Sequence, residues 1–517
     1  MDKMDKNIFE KISQKFFFCL KKINQSWFKT PLYIFVLVFV GFFLRGWNLG
    51  NNLHFAYDQG RDALVIQGLI EYGKPFLIGP TTGIQGVFLG PFFYYLILPF
   101  YFLGRGNPAI PALFLAFFSS LSIWFIYLLG KELFNEKAGK IAAFLLCFSS
   151  YAINFSRQLS NITPLIPMSL LIFLFLFKSF KGETKYFPLV GLLVGLSLQT
   201  ELANAFFIAL VVAIYSFIFV FKKITIKQII LTAVLFLITF FPQIVFDFRH
   251  EHLISRAVIN NFVNDANKTS LEAVWKTRPA FIFRWLVDSL GVKLRFAKSQ
   301  TILFFDLVFL VIVVLGSIFM MQKRKEEKKG LLLVFLWLFI PGISYLFYKG
   351  NYGLFFDYYL VSLFLPFFLM ISYLLAKFFQ GSKNSQIFAA FFLGIFFSAN
   401  LGRQIVFLKP SEWGYSLFQL NQTVDYVLGA LNPGEEIWVR PPNNQPTAYE
   451  YLFNLKTKKL GLPEVKFNQN SDEFFVIYEP DSFKERFEGW YLSLVKDKLL
   501  LEQREFGIII TERYSSK

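Results

Sequence analysis

Long apolar runs with few or no charged residues dominate the pattern of the chain. Eleven such runs occur, at residues 31–47, 108–130, 138–153, 162–180, 186–200, 203–221, 227–246, 300–321, 331–348, 356–380 and 386–402. A helix needs about 20 apolar residues to cross a hydrocarbon core about 30 Å thick, whereas a membrane barrel would show strands of alternating polarity. The pattern therefore predicts a polytopic α-helical membrane protein with about eleven transmembrane helices.

The composition supports this class. Of the 517 residues, 55% are hydrophobic, 20% are aromatic and only 17% are charged, whereas about a quarter of the residues of an ordinary soluble domain are charged. These values exclude a soluble enzyme and a disordered chain. The 52 basic and 35 acidic residues give a net charge of +17. We attribute this excess to cytoplasmic loops rich in Lys and Arg, and not to nucleic-acid binding.

Basic clusters between the runs determine the predicted orientation. The segment 87–104 is apolar, and counting it as a span would place four clusters outside: Lys131/Lys137/Lys140, Lys178/Lys181/Lys185, Lys222/Lys223/Lys227 and Lys323/Arg324/Lys325/Lys328/Lys329. If 87–104 instead lies along the outer interface as a juxtamembrane helix, all four clusters face the cytoplasm. We therefore predict a multi-pass protein of the cell membrane with a cytoplasmic N-terminus.

This topology divides the chain into three parts. Residues 1–31 form a basic cytoplasmic tail, and residues 32–410 form the membrane domain, with outer loops at 48–107 and 247–299. Residues 411–517 have a different composition, with strand-like runs at 437–439, 474–478 and 507–510 and helix-like stretches at 415–431, 445–455 and 483–495. Alternating runs of these two kinds predict a small extracytoplasmic α/β domain.

The densest polar cluster follows the first apolar run. It comprises Asp58, Arg61 and Asp62 within the sequence Tyr57-Asp58-Gln59-Gly60-Arg61-Asp62. If a helix starts there, the two carboxylates lie four residues apart on one face and repel each other, which Arg61 or a bound cation would relieve. Asp58 and Asp62 are candidate catalytic residues, and Arg61 is a candidate substrate contact. The structural alternative is that Asp58 caps a helix over 61–72.

Further polar groups lie near the predicted outer ends of the spans. Arg157, Arg249 and His250 are candidate phosphate ligands, because Arg with His at a membrane face suits a phosphate group. Glu201 and Tyr358 are candidate contacts for a sugar or an acceptor. The alternatives are interfacial snorkelling for the basic groups and an aromatic belt for the tyrosine. No P-loop lysine motif occurs, which argues against ATP as the energy source. The sequence also contains no H-E-x-x-H zinc motif.

Four segments in this order carry a resemblance: Tyr57–Asp62, Leu89–Leu96 (LGPFFYYL), Tyr127–Gly139 and Tyr151–Arg157. Together they resemble family-39 glycosyltransferases of the GT-C class, which include protein O-mannosyltransferases and bacterial lipid A aminoarabinose transferases. The resemblance implies a GT-C-like fold and an inverting transfer of a sugar from a polyprenyl-phosphate donor to an exported protein, lipid or glycan. It also implies that Asp58 is the general base.

One departure from the family affects the predicted cofactor. Many members of the family have two consecutive acids after the first span, where this chain has Asp58-Gln59. The aminoarabinose transferases also carry an acid and a Lys before their Pro-rich juxtamembrane helix, where this chain has Leu89-Gly90-Pro91. No cofactor is therefore certain, although a divalent metal held by Asp58 and His250 is possible. The competing functions are a lipid or polyprenol-sugar flippase, which would show midplane charges and an inverted repeat, and a non-enzymatic scaffold.

Overall fold

The computed structural model describes residues 30–263, 269–291, 299–321, 325–350, 353–408, 416–430, 438–441, 446–467, 472–479 and 484–516. Nearly all of the predicted cytoplasmic tail, 1–31, lies outside the described residues.

The membrane part and its outer loops form nineteen of the helices in these ranges. They are α1 (Thr30–Gly46), α2 (Leu49–Asn52), α3 (Tyr57–Tyr72), α4 (Phe92–Leu103), α5 (Ala109–Ser120), α6 (Ser122–Leu133), α7 (Glu136–Phe148), α8 (Ser150–Ser156), α9 (Leu165–Phe180), α10 (Phe187–Leu198), α11 (Leu202–Phe219), α12 (Ile226–Thr239), α13 (Phe241–Arg249), α14 (Leu253–Val263), α15 (Leu271–Asp288), α16 (Ser299–Phe319), α17 (Lys325–Phe347), α18 (Phe364–Phe378) and α19 (Lys383–Leu408). Short 3₁₀ turns lie at Thr184–Tyr186 and Asp357–Leu360.

The C-terminal part combines three helices with a small sheet, as predicted. The helices are α20 (Leu417–Gly429), α21 (Pro446–Leu460) and α22 (Lys484–Val495), and the strands are β1 (Trp438–Arg440), β2 (Lys466–Phe467), β3 (Glu473–Tyr478), β4 (Lys498–Phe506) and β5 (Ile509–Ser516). The strand order is β2-β1-β3-β5-β4, in which β1 pairs in parallel with β2 and β3, and the other pairs are antiparallel. The predicted strands correspond to β1, β3 and β5.

The helices confirm a multi-pass membrane protein but not the predicted count of eleven spans. Among the described residues, four helical stretches are long and apolar enough to cross a membrane: α5 continued by α6, α11, α17 and α19. Two bent pairs, α7 with α8 at 63° and α12 with α13 at 50°, raise the number to six. Apart from α16, which has 21 residues, the other apolar helices have 10–17 residues, at or below the short end of the range of about 17–25 residues that crosses a membrane.

Helix α4, which lies in the ambiguous segment 87–104, has 12 residues. It rises about 18 Å, well short of a hydrocarbon core of about 30 Å. Its buried face belongs to the same core as the C-terminal part and not to the core of the bundle. Both observations support a juxtamembrane helix.

The molecule has two large hydrophobic cores and a small third cluster around Phe474, Val476 and Tyr514. The first fills the helical bundle, from Ile34 in α1 to Phe396 in α19. The second joins the outer helices to the C-terminal part, because Ile66 of α3 and Phe93 of α4 are buried in the same cluster as Val424 of α20 and Ile477 of β3. The C-terminal part is therefore packed onto the outer helices through a continuous apolar core.

Candidate active site

A cavity of about 820 Å³ lies where α3, the start of α11 and the 3₁₀ turn Asp357–Leu360 meet. One wall is the first turn of α3, with Asp58, Arg61 and Asp62. The opposite wall is the start of α11, with Glu201 and aromatic side chains. Two loops, 80–84 and 158–162, complete the lining.

Helix α3 presents its acidic residues to the cavity from its first turn. The helix begins at Tyr57, and the residue before it, Ala56, occupies the N-cap position. The side chain of Gln59 accepts a hydrogen bond from the Ala56 backbone N–H at 3.1 Å, which satisfies one of the donors that a helix N-terminus leaves unpaired. Asp58 therefore does not cap a helix over 61–72, and its side chain remains 69% exposed.

Arg61 lies between the two carboxylates of this turn. Its Nη1 is 2.8 Å from Oδ1 of Asp58, and its Nη2 is 2.8 Å from Oδ1 of Asp62. The hydroxyl of Tyr94 donates a further hydrogen bond to Asp62 at 3.0 Å. Asp58 and Asp62 share one helix face, as the spacing predicts, and Arg61 relieves their repulsion. Burial raises the pKa of Asp62 to about 6, although Arg61 and Tyr94 act against that rise.

Glu201 is the second buried acid of the cavity, and no Lys or Arg in the part of the chain that the structure describes pairs with it. Its carboxylate accepts hydrogen bonds from the backbone N–H groups of Ala203 at 3.1 Å and Asn204 at 2.6 Å, so that it caps α11. Burial raises the pKa of Glu201 to about 7, and the two N–H groups lower it only in part.

Aromatic side chains surround Glu201 in this wall. They are Phe206, Phe207, Tyr345, Tyr348, Tyr358 and Tyr359. Asn204 binds the 3₁₀ turn that carries two of them, because its Nδ2 donates to the carbonyl of Tyr359 at 2.9 Å and its Oδ1 accepts from Ser362 at 2.6 Å. Tyr358 is held in this way beside Glu201, and burial raises its pKa to about 12, so that its hydroxyl stays protonated.

Leu89 of the motif Leu89-Gly90-Pro91 also lines the cavity. A Cβ atom at Gly90 would lie 2.2 Å from Oε1 of Gln199, so only glycine admits this amide. The same Oε1 accepts from the backbone N–H of Phe92 at 3.2 Å. Gln199 thus ties the start of α4 to the end of α10. Gln199 was not among the predicted site residues, and its only signal in the sequence is its position directly before the Thr200-Glu201 pair.

Arg157 lies outside the cavity lining, although its neighbour Gln158 is part of it. Its Nη1 donates to the carbonyls of Leu44, Arg45 and Trp47 at 3.3, 3.0 and 2.9 Å. These carbonyls belong to the end of α1, where a helix leaves its last carbonyls unpaired. Arg157 therefore satisfies the C-terminus of α1.

Arg249 and His250 also lie outside the cavity lining. Arg249 is the last residue of α13, and His250 follows it. His250 is exposed, its ring stacks on that of Phe246 with centroids 3.9 Å apart, and its Nδ1 lies 2.8 Å from the Phe246 carbonyl oxygen. The cavity lining therefore does not bring Arg157, Arg249 and His250 to Asp58, and their roles as phosphate ligands stay predictions. The physical reason for this separation is that Arg157 is bound to backbone and that the other two lie at the end of a different helix.

The described residues contain no group of three or more His, Cys, Asp or Glu side chains placed to hold a metal ion. The predicted pairing of Asp58 with His250 is not formed, because only Asp58 lines the cavity. The donor set in the described residues thus does not fit a protein-held divalent metal, and the chemistry derived below uses none.

Comparison with known proteins agrees with this architecture. The family model of dolichyl-phosphate-mannose-protein mannosyltransferases matches residues 89–246. The crystal structure of ArnT from Cupriavidus metallidurans bound to undecaprenyl phosphate is 12% identical, covers 93% of this chain and 97% of its own, and superposes with a TM-score of 0.58. The apo structure of the same protein is 10% identical with the same coverage and a TM-score of 0.59. No curated protein sequence matches the chain significantly.

The fold of the chain thus resembles that of GT-C membrane glycosyltransferases, and the predicted resemblance to family 39 is confirmed over residues 89–246. The matched segment begins at the Leu89-Gly90-Pro91 motif and ends in α13, so that it includes Glu201. At such low identity the structural likeness concerns the fold, and a function has to be argued from the site itself.

Proposed function

We propose that the chain is a membrane glycosyltransferase that moves a sugar from a polyprenyl-phosphate donor to an acceptor hydroxyl or amine. The observation that carries this proposal is the cavity of about 820 Å³ with Asp58, Arg61 and Asp62 on one wall and Glu201 with its tyrosines on the other. The likeness to an ArnT structure that contains undecaprenyl phosphate supports a lipid-phosphate donor.

The position of the cavity in the bundle supports action at the outer membrane face. Helix α9 begins next to the cavity-lining residues 158–162 and ends at Lys178 and Lys181, and α10 returns from Lys185 to Glu201. The basic turns therefore lie at the opposite end of these helices from the cavity. Because basic turns face the cytoplasm, we place the cavity and the C-terminal part on the extracytoplasmic side and the N-terminus in the cytoplasm.

We assign the role of general base to Asp58. Its side chain lines the cavity and is 69% exposed, whereas the Asp62 side chain is 7% exposed and held by Arg61 and Tyr94. In the transfer step, the acceptor oxygen or nitrogen attacks the anomeric carbon from the side opposite the phosphate. The bond between that carbon and the phosphate oxygen breaks, the electron pair leaves with polyprenyl phosphate, and the acceptor proton passes to Asp58. The stereochemistry is therefore inverted.

Arg61 supplies the positive charge that a leaving phosphate requires. A guanidinium remains charged at every physiological pH and binds phosphate oxygens in a planar geometry. Arg61 lines the cavity and is fixed by Asp58 and Asp62. Stabilisation of the developing charge by a fixed cation in a partly closed site contributes more than the same contact in water. Glu201 and Tyr358 then contact hydroxyl groups of the sugar or the acceptor.

The test of this function uses Asp58→Asn, because asparagine keeps the shape of the side chain but cannot take the proton. The loss of a general base typically lowers turnover by about 10²–10⁴-fold. Polyprenyl-phosphate sugars are measured by mass spectrometry in lipid extracts of cells that lack the chain or carry each variant. We expect the donor to accumulate in the null strain and in the Asp58→Asn strain, and turnover of the purified variant to fall accordingly.

The matched control is Asp425→Asn in α20. Asp425 is 64% exposed and also holds one ion pair, with Lys456 at 2.6 Å, but it lies outside the cavity lining. This variant should restore the wild-type lipid profile. If the null strain accumulates no polyprenyl-phosphate sugar, the proposed function is wrong. If Asp58→Asn keeps more than about a tenth of the turnover, the base is Asp62 or Glu201 instead.

A further inference from the structure

The first turn of α21, in the C-terminal part, touches the first turn of α3 backbone to backbone. A Cβ atom built at Gly60 would lie 2.4 Å from the backbone nitrogen of Ala448 and 2.5 Å from the carbonyl carbon of Thr447. No side chain could be accommodated there without moving one of the two helices. Gly60 lies between Asp58 and Arg61 in sequence, so the contact occurs in the turn that carries the proposed catalytic groups.

Hydrogen bonds fix the same turn to the C-terminal part. The hydroxyl of Thr447 donates to the carbonyl of Tyr57 at 2.7 Å. Just upstream, the backbone N–H of Leu417 donates to the carbonyl of Leu53 at 2.8 Å, and His54 forms an isolated antiparallel bridge with Ser416. The chain is therefore held from residue 53 to residue 60 by two separate segments of the C-terminal part.

The far end of α3 is held by a charged contact. Nζ of Lys458, in the last turn of α21, lies 2.7 Å from Oε1 of Glu71, in the last turn of α3. Between the two ends, Ala63 and Ile66 of α3 are buried in one core with Tyr449 and Leu452 of α21. The two helices thus run side by side with their first turns together and their last turns together.

We propose that α21 is a positioning element of the transfer site, which sets the depth and orientation of Asp58, Arg61 and Asp62 through its backbone contact at Gly60. This inference rests on the proposed function. An error of about 1 Å in the placement of a reacting group can lower the rate about 10²-fold. The C-terminal part is accordingly a component of the active site and not a separable module.

The principal variant is Gly60→Ala, and its control is Gly68→Ala in the same helix. A Cβ atom at Gly68 meets nothing within 4 Å, and both changes raise helix propensity alike. We expect Gly60→Ala to lower kcat about tenfold to a hundredfold with little change in KM for the polyprenyl-phosphate sugar. Gly68→Ala should retain wild-type kcat. Adding Ala448→Gly should not restore the kcat of the Gly60→Ala variant, because the clash is with backbone atoms of residues 447 and 448.

A second pair of variants keeps the test independent of whether Gly60→Ala folds. Thr447→Val removes the hydroxyl that donates to Tyr57 but keeps the volume, and Thr447→Ser keeps the hydroxyl. We expect Thr447→Val to lower kcat severalfold at unchanged KM, and Thr447→Ser to restore it. The positioning role is refuted if Thr447→Val and Gly60→Ala both keep wild-type kcat. It is also refuted if kcat falls as much in Thr447→Ser as in Thr447→Val.

Hydrogen exchange of α3 separates this inference from the proposed function. Amides 57–62 of the full-length protein should exchange faster in Gly60→Ala and Thr447→Val than in Gly68→Ala, whatever reaction the site performs. If wild type transfers no polyprenyl-phosphate sugar but this exchange pattern is found, the function is wrong and the positioning contact stands. If exchange is equal in all the variants, the contact does not hold α3 and the inference is refuted.

Discussion

The two walls of the cavity bury a carboxylate each, but they stabilise it in different ways. Asp62 on α3 is paired with Arg61 at 2.8 Å and accepts from Tyr94. Glu201 accepts only backbone N–H groups in the contacts that the structure records, and its surroundings are aromatic. One wall is a charged network that presents Asp58 to the cavity, and the other is an apolar surface with one acid at a helix N-terminus.

Under the proposed function, this difference suits the two walls to separate tasks. A fixed guanidinium with an exposed carboxylate suits steps in which charge and protons move. A wall of tyrosine and phenylalanine with one buried acid offers flat apolar faces and a few hydroxyl groups, which suits the recognition of a sugar ring. We therefore assign the chemistry to the α3 wall and the binding to the Glu201 wall.

The largest effect on stability should come from Arg61→Gln, because it leaves Asp62 buried without its cation. Removing one partner of a buried ion pair costs about 3–5 kcal/mol, and the partly exposed Arg61 should approach the lower end. The apparent unfolding temperature in detergent measures this loss. Arg256→Gln is the control, since its pair with Glu251 is exposed on both sides and should contribute less than about 1 kcal/mol.

A double variant sharpens this test. Arg61→Gln with Asp62→Asn removes the uncompensated charge, so it should recover part of the stability that Arg61→Gln loses. No recovery would mean that Arg61 does not stabilise the ionised Asp62, and the contrast between the walls would disappear.

A smaller effect, of the same sign for both acids, should appear in the pH profile of stability. Burial raises the pKa of Glu201 from 4.5 to about 7 and that of Asp62 from 3.8 to about 6. In each case the folded state holds its proton to a higher pH than the unfolded state does, so stability falls as pH rises through this window and levels off above the folded pKa.

Neutral substitutions remove these contributions one at a time. Relative to wild type, Glu201→Gln should flatten the fall of the apparent unfolding temperature between about pH 4.5 and 7, and Asp62→Asn between about pH 4 and 6. Unfolding is followed from pH 4.5 to 8 in one buffer series. A profile of Glu201→Gln parallel to that of wild type between pH 6 and 7 would contradict the raised pKa of Glu201.

The α3 wall could be predicted from the sequence and the Glu201 wall could not, for a physical reason. Asp58, Arg61 and Asp62 fall within five consecutive positions, so helical spacing alone places them on one face. Tyr345, Tyr348 and Glu201 come from helices that meet only through tertiary packing, and no local pattern records their contact. Glu201 and Tyr358 could be named as polar or aromatic groups near span ends, but not as neighbours.

The same limit explains where the basic residues were misplaced. Arg157 was expected at a phosphate because Arg at a membrane face suits one, yet it serves carbonyls of α1. Every helix in a bundle ends with carbonyl groups that have no partner within the helix, and sequence patterns do not show which side chain donates to them. The membrane class and the C-terminal sheet were predictable from apolar runs and alternating patterns. The number of spans is not confirmed, because several apolar helices among the described residues are bent or have fewer than 18 residues.

The smallest effects should come from Arg249→Gln and His250→Gln, which lie outside both walls. His250 is exposed and in contact with Phe246 of its own helix end, and surface substitutions of this kind usually change stability by less than about 0.5 kcal/mol. We expect both variants to keep turnover and the dissociation constant of undecaprenyl phosphate within about twofold of wild type, which corresponds to about 0.4 kcal/mol.

Arg61→Gln, measured beside them, should weaken binding of the same lipid by at least tenfold, since it removes a charge-assisted contact to phosphate. If Arg249→Gln weakens undecaprenyl phosphate binding as much as Arg61→Gln does, the phosphate binds near the end of α13. The α3 wall would then not stabilise the leaving phosphate.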